Sequence, residues 1–334
     1  MEQSYQTTTS AQALCRDALV WDAHSCMPLL PGVDLSGLAR YRDSGINYVC
    51  LNVGMDMNPV TDVIRVLAHF RSWLRDRPED YVLAGSVADI RAAEAGGRLA
   101  VAFDLEGALP LAGDLAMVQL YHDLGVRQMH FAYNRNNHVG GGCHDSDIPL
   151  SAFGRALVEE INRVGLLMDC SHTGRRTSLD IMEASSKPVV FSHSNSKSLR
   201  DHARNIDTEQ IEACAATGGV IGINGIGLLL GDASTEAMVA HIDHVAQIVG
   251  ASHVGIGLDF VFMPDVEDLP PGTDRTYWWP SDAGYGTAYS SLTFVEPEWL
   301  PALIDRLLAM GYSDADIRAV LGGNFMRVAE ESWR

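Results

Sequence analysis

Two stretches of this chain end in the same dipeptide: Leu166-Leu-Met-Asp-Cys-Ser-His172 and Pro188-Val-Val-Phe-Ser-His193. Each is a short apolar run that stops at Ser-His, and residues 175–186 between them have a helical pattern, so the block predicts strand, helix, strand. The carboxyl ends of successive parallel strands are neighbours in space, so both imidazoles should face one opening. A single histidine at a strand end is as often structural as functional. A repeated Ser-His one βα unit apart favours a shared metal ion.

The same alternation of strand-length apolar runs and helical stretches extends along the whole chain. Eight runs are predicted as strands, at 19–23, 47–53, 99–104, 126–131, 166–169, 188–191, 220–223 and 254–258. Several are continuously apolar, which is typical of parallel strands covered on both faces. The pattern predicts an α/β fold, a single (β/α)8 TIM barrel over residues 1–334, with C-terminal helices at 299–311 and 313–331.

Charge and composition restrict the partners. The 334 residues carry a formal net charge of −19, which disfavours nucleic acid and anionic membranes, so a small-molecule partner is expected. No apolar run is long enough to span a membrane, and the amino terminus lacks the features of a signal peptide. The six cysteines are scattered without a CxxC pair, which indicates reduced thiols in a cytoplasmic protein. The sequence does not decide the oligomeric state, for which a homodimer is one option.

Residues 266–292 do not fit the repeat. They are rich in Pro, Gly, Asp and aromatic residues and directly follow the eighth predicted strand. A loop over the mouth of the barrel is the natural interpretation, and a surface loop without a role in chemistry is the alternative.

Ionisable side chains follow several of the predicted strands, where a barrel would bring them into one cavity. The candidates are His24, Cys26, Glu106, His172, His193 and Asp259. The histidines supply nitrogen ligands for zinc, and Glu106 supplies an oxygen that can bridge two ions. Cys26, two residues from His24, lies on the same side of an extended strand. Asp259 is the candidate acid/base beside a metal-activated water, which completes a hydrolytic set.

Several motifs resemble the membrane dipeptidase (renal dipeptidase) family of zinc metallopeptidases, a branch of the amidohydrolase-like barrels. The matching segments run from about residue 22 to the C-terminal helix and include Leu124-Gly-Val-Arg127, Asn134-x-Asn-Asn137, Asp169-x-Ser-His172, Pro188-Val-Val-Phe-Ser-His-Ser194, His202-x-Arg-Asn205, Gly257-x-Asp-Phe260 and Leu321-Gly-Gly-Asn-Phe325. The resemblance implies a two-zinc barrel that hydrolyses dipeptides. By position, His24 would bind the first metal, Glu106 would bridge, and His172 with His193 would hold the second.

The same resemblance implies that Arg204 takes the substrate carboxylate and that Asp259 is the acid/base. Three positions depart from the family pattern. Cys26 replaces the usual metal-ligand aspartate, and Ile226 replaces a tyrosine that helps to bind the carboxylate. Tyr133 stands where the family has a substrate-contacting histidine, and we expect it to bind substrate. We therefore expect Zn²⁺ as cofactor, as one or two ions, with weaker binding at the site of Cys26.

Three functions compete at this stage. The leading one is a zinc-dependent hydrolase that cleaves the amide bond of a dipeptide or a related small amide. The second is a barrel with one metal site that acts on another small molecule, as in the tailoring of a metabolite. The third is a non-catalytic ligand-binding protein on the same scaffold. Fold alone does not separate them, and the state of the metal site at Cys26 does most to discriminate.

Overall fold

The computed structural model describes residues 8–262, 268–286 and 289–334, and its centre is a closed ring of parallel strands. The strands are β1 Trp21–Cys26, β2 Tyr48–Met55, β3 Tyr81–Leu83, β4 Leu99–Glu106, β5 Val126–His130, β6 Leu167–Asp169, β7 Val189–Val190, β8 Ile221–Asn224, β9 Val254–Gly257 and β10 Phe260–Val261. Eight of them follow the order β7-β6-β5-β4-β2-β1-β9-β8. A parallel bridge between Phe191 and Ile221 joins the two ends, which confirms the predicted (β/α)8 barrel.

Helices cover the outside of the ring and close one end of it. They are α1 Thr9–Asp17, α2 Ala39–Asp43, α3 Val60–Arg75, α4 Val87–Ala95, α5 Ala116–Asp123, α6 Ala152–Val164, α7 Arg175–Ala184, α8 Thr208–Ala216, α9 Gly227–Leu230, α10 Thr235–Val249, α11 Arg275–Trp278, α12 Leu300–Ala309, α13 Asp314–Arg318 and α14 Asn324–Ser332. Helix α8 begins with a capping box between Asp207 and Gln210, for which Asp207-Thr-Glu-Gln210 is the sequence signature. Among the described helices, none is long and apolar enough to cross a membrane.

Strand β4 shows how the sequence divides the barrel into an apolar bottom and a polar top. Leu99, Val101, Phe103 and Leu105 belong to the larger core between strands and helices, whereas Ala100 and Ala102 belong to a second core. Side chains alternate along a strand, so the second face continues from these alanines to Asp104 and Glu106 at the carboxyl end. The charged groups of β4 therefore lie at the carboxyl end of the barrel, which is where (β/α)8-barrel enzymes have their active sites.

Helix α14 fills the other end of the barrel. Phe325 stacks on Trp21 of β1 with ring centroids 6.0 Å apart. A Cβ at Gly255 would lie 2.4 Å from the Phe325 ring, so only glycine allows β9 to approach it. The amino-terminal end is therefore packed shut.

The observed elements extend the prediction in three places. All eight predicted strands are present, but the sheet also has the short strands β3, which pairs with β4, and β10, which pairs with β1. The predicted helix at 313–331 is two helices joined by a π-helical stretch, Ala319–Gly323. The predicted loop 266–292 falls partly on residues 266–267 and 287–288, outside the described residues, and its described part contains α11. All six cysteines are free thiols.

Candidate metal centre and substrate cavity

Four side chains from four different strand ends meet around one carboxylate oxygen. The Nε2 atoms of three histidines lie close to Glu106 Oε1, at 3.5 Å for His24, 3.0 Å for His172 and 3.4 Å for His193. Two ligands bound to one zinc at about 2.0 Å in a tetrahedron are roughly 3.3 Å apart. The spacing therefore fits metal coordination, and the sequence-predicted set is brought together.

A hydrogen bond at the far nitrogen orients each imidazole. Nδ1 of His24 faces Asp104 Oδ2 at 3.0 Å, and Nδ1 of His172 faces Asn134 Oδ1 at 2.7 Å. Nδ1 of His193 lies 2.6 Å from Ser192 Oγ. The Asp104 and Asn134 oxygens can only accept, so they favour the tautomers of His24 and His172 that leave a lone pair on Nε2, and the Ser192 hydroxyl is compatible with the same tautomer of His193.

The resulting arrangement of side chains suits a cation at its centre. Burial lowers the pKa of His172 and of His193 well below the ordinary value, so both rings are neutral. Their Nε2 atoms nevertheless lie 3.0 Å apart and both face Glu106 Oε1. Lone pairs at that distance repel one another, whereas a divalent ion between them would attract all three. The residues present therefore fit a metal.

Cys26 and Asp259 extend this centre on the side of His24. Cys26 Sγ lies 3.4 Å from His24 Nε2 and 4.0 Å from Asp259 Oδ1. The candidate ligand atoms of Glu106, His172 and His193, hereafter the first set, lie within 4.8 Å of one another. Those of His24, Cys26 and Glu106, hereafter the second set, do so as well. The second set is the one that the family pattern assigns to the metal of His24. Glu106 is common to both sets, as expected for a residue that bridges two ions. Its other oxygen, Oε2, accepts a hydrogen bond from Asn52 Nδ2.

Protons compete with metal at this second set. Burial raises the pKa of the Cys26 thiol to about 12 and that of Glu106 to about 7. For His24, burial lowers the pKa, but the charges of Asp104 and Glu106 outweigh it and hold the pKa well above the ordinary value. A metal bound here must displace these protons, so its affinity depends on pH.

Backbone strain is concentrated at the same place. Of the described residues other than glycine, four have a positive φ, and three of these are Asn134 (59°), His172 (65°) and Asp259 (52°). A left-handed conformation is uncommon for such residues and persists where the surroundings enforce it. Asp259 is further fixed by Asn224, whose Nδ2 donates to Asp259 Oδ2 at 2.8 Å. Oδ1 is thereby left on the side of Cys26 and His24.

His130 is a buried member of the cluster that the sequence analysis did not single out. It ends β5, its Nε2 lies 2.6 Å from Asp169 Oδ2, and its ring centroid is 5.5 Å from that of His193. Burial opposes the Asp169 charge, but the charge of His130 and the hydrogen bonds to the carboxylate hold the pKa of Asp169 at about 2. The available signal is the alternation Gln128-x-His130, which puts two polar residues on the inner face of β5.

A cavity beside the metal centre contains both residues predicted to bind substrate. Arg204 and Tyr133 line it together with Cys26, Glu106 and Asp259. Arg204 is buried, and its Nη atoms donate to Ser194 Oγ and to the carbonyl of His193, each at 3.0 Å. Tyr133 stacks on His172 with centroids 4.3 Å apart. Much of the remaining wall is apolar, with Met27, Leu29, Met55, Ile226, Phe262 and Leu292.

Arg204 is a buried cation whose two described side-chain hydrogen bonds both go to neutral oxygens. Among the residues that the structure describes, no carboxylate forms an ion pair with it. A buried charge without a partner is costly, so its guanidinium is suited to an anion that enters the cavity from outside.

Part of the long loop covers this cavity. Trp279 and Tyr285 line it, and Trp279 Nε1 donates to Tyr133 Oη at 3.0 Å. The carbonyl of Trp278 accepts a hydrogen bond from Asn134 Nδ2 at 2.9 Å. The described residues 268–286, hereafter the lid segment, are thus bonded to the residues that hold the metal centre. The predicted position over the barrel mouth is confirmed for this described part.

Fold and site together define a (β/α)8 barrel with a candidate metal centre at the carboxyl ends of its strands. Within that class, a sequence model of the membrane dipeptidase family (peptidase family M19) matches residues 9–271, and the chain belongs to this family.

Similar proteins agree with this assignment. Dipeptidase aclJ from Aspergillus oryzae is 30% identical over 280 residues, which are 80% of this chain and 58% of that protein. The chain spans about half the length of the curated relatives it matches. The crystal structure of an amidohydrolase from Pseudomonas aeruginosa superposes with a TM-score of 0.84 at 27% identity and covers 97% of this chain and 99% of its own. A metallo peptidase from Rhodobacter sphaeroides, liganded with a phosphinate mimic of the dipeptide L-Ala-D-Ala, has the same fold with a TM-score of 0.77 at 22% identity, covering 95% of this chain and 100% of its own.

Proposed function

We propose that this protein is a metal-dependent hydrolase that cleaves the amide bond of dipeptides, with zinc as the metal. The single observation that carries the proposal is the convergence of three imidazole Nε2 atoms on Glu106 Oε1 at 3.0–3.5 Å, beside a cavity with a buried arginine that forms no ion pair within the described part of the chain. The relatives' names and the family's activity support the same class of reaction.

The ligand roles follow from this geometry. Glu106, His172 and His193 would hold one ion, and His24, Cys26 and Glu106 would hold the second or a weaker one. When bound, the metal supplies a Lewis acid that activates water and polarises the peptide carbonyl. The neutral imidazoles and the two carboxylates also make the cavity selective for cations at the reacting end.

The chain's own groups then position the peptide and carry the proton. Arg204 binds the terminal carboxylate and fixes the scissile bond relative to the metal centre. Burial raises the pKa of Asp259 from its ordinary value, which suits a group that must take up a proton and release it. Asp259 Oδ1 accepts the proton of the attacking water and returns it to the leaving amine nitrogen. Asn224 keeps the carboxylate in that orientation throughout.

The apolar cavity wall selects among dipeptides. Met55, Phe262 and Leu292 offer no polar contact to a side chain, so dipeptides with apolar side chains are the expected substrates.

The decisive experiment pairs metal content with a dipeptide panel. We expect protein purified without chelator to contain stoichiometric zinc by elemental analysis and to hydrolyse apolar dipeptides. His193→Ala should lose the metal of the first set and the activity together, because three protein ligands are the minimum for a catalytic zinc. His253→Ala removes a histidine that bonds, among the described residues, to the carbonyl of Gly219 and serves as the control. Metal-free wild-type protein, or metal-loaded protein inert toward the whole panel, would refute the proposal.

The presence of Cys26 supports one alternative function. If the thiol leaves the second set empty, the remaining single-metal centre fits a reaction on another small molecule better than dipeptide hydrolysis. Metal-loaded protein that binds one equivalent and leaves dipeptides intact would favour that alternative.

A further inference from the structure

Tyr285 lies in the cavity wall without a role in the reaction described above. Its ring is buried between two histidines, edge-on to His144 with centroids 5.4 Å apart and to His202 at 5.6 Å. Its hydroxyl oxygen lies 3.1 Å from His144 Nε2. It lines the same cavity as Arg204, whose charge acts on its hydroxyl.

The turn that carries Arg204 also fixes the position of this tyrosine. His202 Nδ1 accepts a hydrogen bond from the backbone N–H of Arg204 at 3.1 Å. The other nitrogen of the same ring, Nε2, bonds to the carbonyl of Ala283 at 2.8 Å, two residues before Tyr285. The imidazole of His202 therefore links the backbone of Arg204 to the segment that carries Tyr285.

With His144 in the tautomer that carries its hydrogen on Nε2, the phenol can act as a donor. Burial lowers the pKa of His144 to about 3, so its ring is neutral and carries one N–H. Burial also raises the pKa of Tyr285, which keeps its hydroxyl protonated. When His144 donates from Nε2 to the phenol oxygen, the hydroxyl hydrogen of Tyr285 is directed elsewhere. A carboxylate held by Arg204 is the acceptor that this position suits, because an anion accepts several hydrogen bonds and is stabilised by each.

We propose that Tyr285 donates a hydrogen bond to the substrate's terminal carboxylate beside Arg204, with His144 as its positioning residue. The lid segment thus contributes a specificity-determining group to the cavity. Ile226, also in the wall, offers no donor of this kind. The inference rests on the proposed function only in taking the ligand to be a dipeptide with a free carboxylate.

The test compares an apolar dipeptide with its C-terminal amide in the metal-loaded, full-length protein. Tyr285→Phe keeps the buried ring and removes only the hydroxyl. We expect KM for the dipeptide to rise by about 10- to 100-fold with kcat little changed, the range for a lost hydrogen bond to a charged group. KM for the amide should stay within about two-fold, since no charged acceptor is lost there. Tyr277→Phe is the matched control, because Tyr277 belongs to the same segment and is 46% exposed.

Every outcome decides the inference. An unchanged KM for the dipeptide in Tyr285→Phe, or equal losses for dipeptide and amide, overturns it, because the hydroxyl then does not read the carboxylate. If wild-type protein hydrolyses neither peptide, the proposed function fails, and both uncleaved peptides are titrated calorimetrically instead. A Kd for the dipeptide that Tyr285→Phe raises by about 10-fold or more, with the amide unaffected, then supports the inference. Binding of neither peptide refutes it.

Discussion

Cys26 has the strongest influence on what the metal centre can be. A carboxylate at this position would ligate through oxygen at about 2.0–2.2 Å, whereas a thiolate bonds at about 2.3 Å and favours softer ions. The 3.4 Å between Cys26 Sγ and His24 Nε2 is a distance that two ligands of one ion can have, so the structure brings the thiol within reach. Whether it ligates is set by the cost of its proton, since burial raises its pKa to about 12.

We therefore predict a thiolate ligand in metal-loaded protein, and weaker binding there than in the first set. Cobalt-substituted wild type should show a sulphur-to-metal charge-transfer band that Cys26→Ser lacks, while Cys15→Ser, at a half-buried cysteine in α1, keeps it. Cys26→Asp should raise the metal stoichiometry and the dipeptidase activity, because a carboxylate needs no such deprotonation at neutral pH. Two tightly bound zinc ions and rapid dipeptide hydrolysis in the unmutated protein would show the weak-site expectation to be wrong.

Arg204 provides a second prediction at the level of one side chain. Arg204→Lys keeps the charge but loses the planar fork, so KM for dipeptides should rise by about 10-fold or more with a smaller effect on kcat. Steady-state kinetics across a dipeptide series measure it. Arg200→Lys is the control, since that exposed side chain donates, within the described part of the chain, to the carbonyl of Leu228. Equal KM values for Arg204→Lys and wild type would remove Arg204 from the substrate cavity.

At the level of strands and helices, the sequence predicts most where a long apolar run or a cap leaves a local signal. The eight strands and the cap of α8 follow from such patterns. Strand β3 was missed because it has three residues, two of them only half-buried, and so shows no clear periodicity. The break in the last predicted helix, at Ala319–Gly323, leaves the helical pattern nearly intact and is equally hard to see.

The candidate site, like the fold, can be predicted from the sequence only where local signals exist. Ligands at strand ends are predictable because parallel strands place their carboxyl ends together. Contacts from the lid segment are not, because Trp279 and Tyr285 reach the cavity through tertiary hydrogen bonds to Tyr133 and His144. The sequence of residues 268–286 has no periodic pattern from which these partners could be predicted.

The pair that links β5 to β6 gives a prediction at this scale. Asp169→Asn removes the charge that His130 faces at 2.6 Å inside the barrel, and breaking a buried pair costs about 3–5 kcal/mol of unfolding free energy. The folded-state pKa of Asp169, about 2, lies below the ordinary value, so its stabilisation is complete above about pH 4 and is lost as the pH falls toward 2.

Urea denaturation with chelator present should therefore show a large gap between Asp169→Asn and wild type at pH 7, and a gap that narrows below about pH 4. Asp62→Asn, which removes an exposed carboxylate 3.7 Å from Arg65, should cost less than about 1 kcal/mol at either pH. A gap that stays constant with pH, or no gap at all, would contradict the assignment of an ionised pair.

For the whole molecule, an ion bound at the candidate metal centre would link distant parts of the barrel. Its candidate ligands come from β1, from β4 and from the segments that follow β6 and β7, so a bound ion would connect four βα units that the unfolded chain cannot hold together. An ion that binds only the folded state at 100 times its Kd adds about 2.7 kcal/mol to the unfolding free energy. Removing it with a chelator should lower the melting temperature by roughly 5–10 °C. Calorimetry of chelated and zinc-restored protein measures this.

His193→Ala, with the ligand set broken, should melt at the same temperature in both states, whereas His253→Ala should respond as wild type does. Identical melting of wild type with and without metal would mean that the four segments are held by packing alone, and the centre would then lose its structural role.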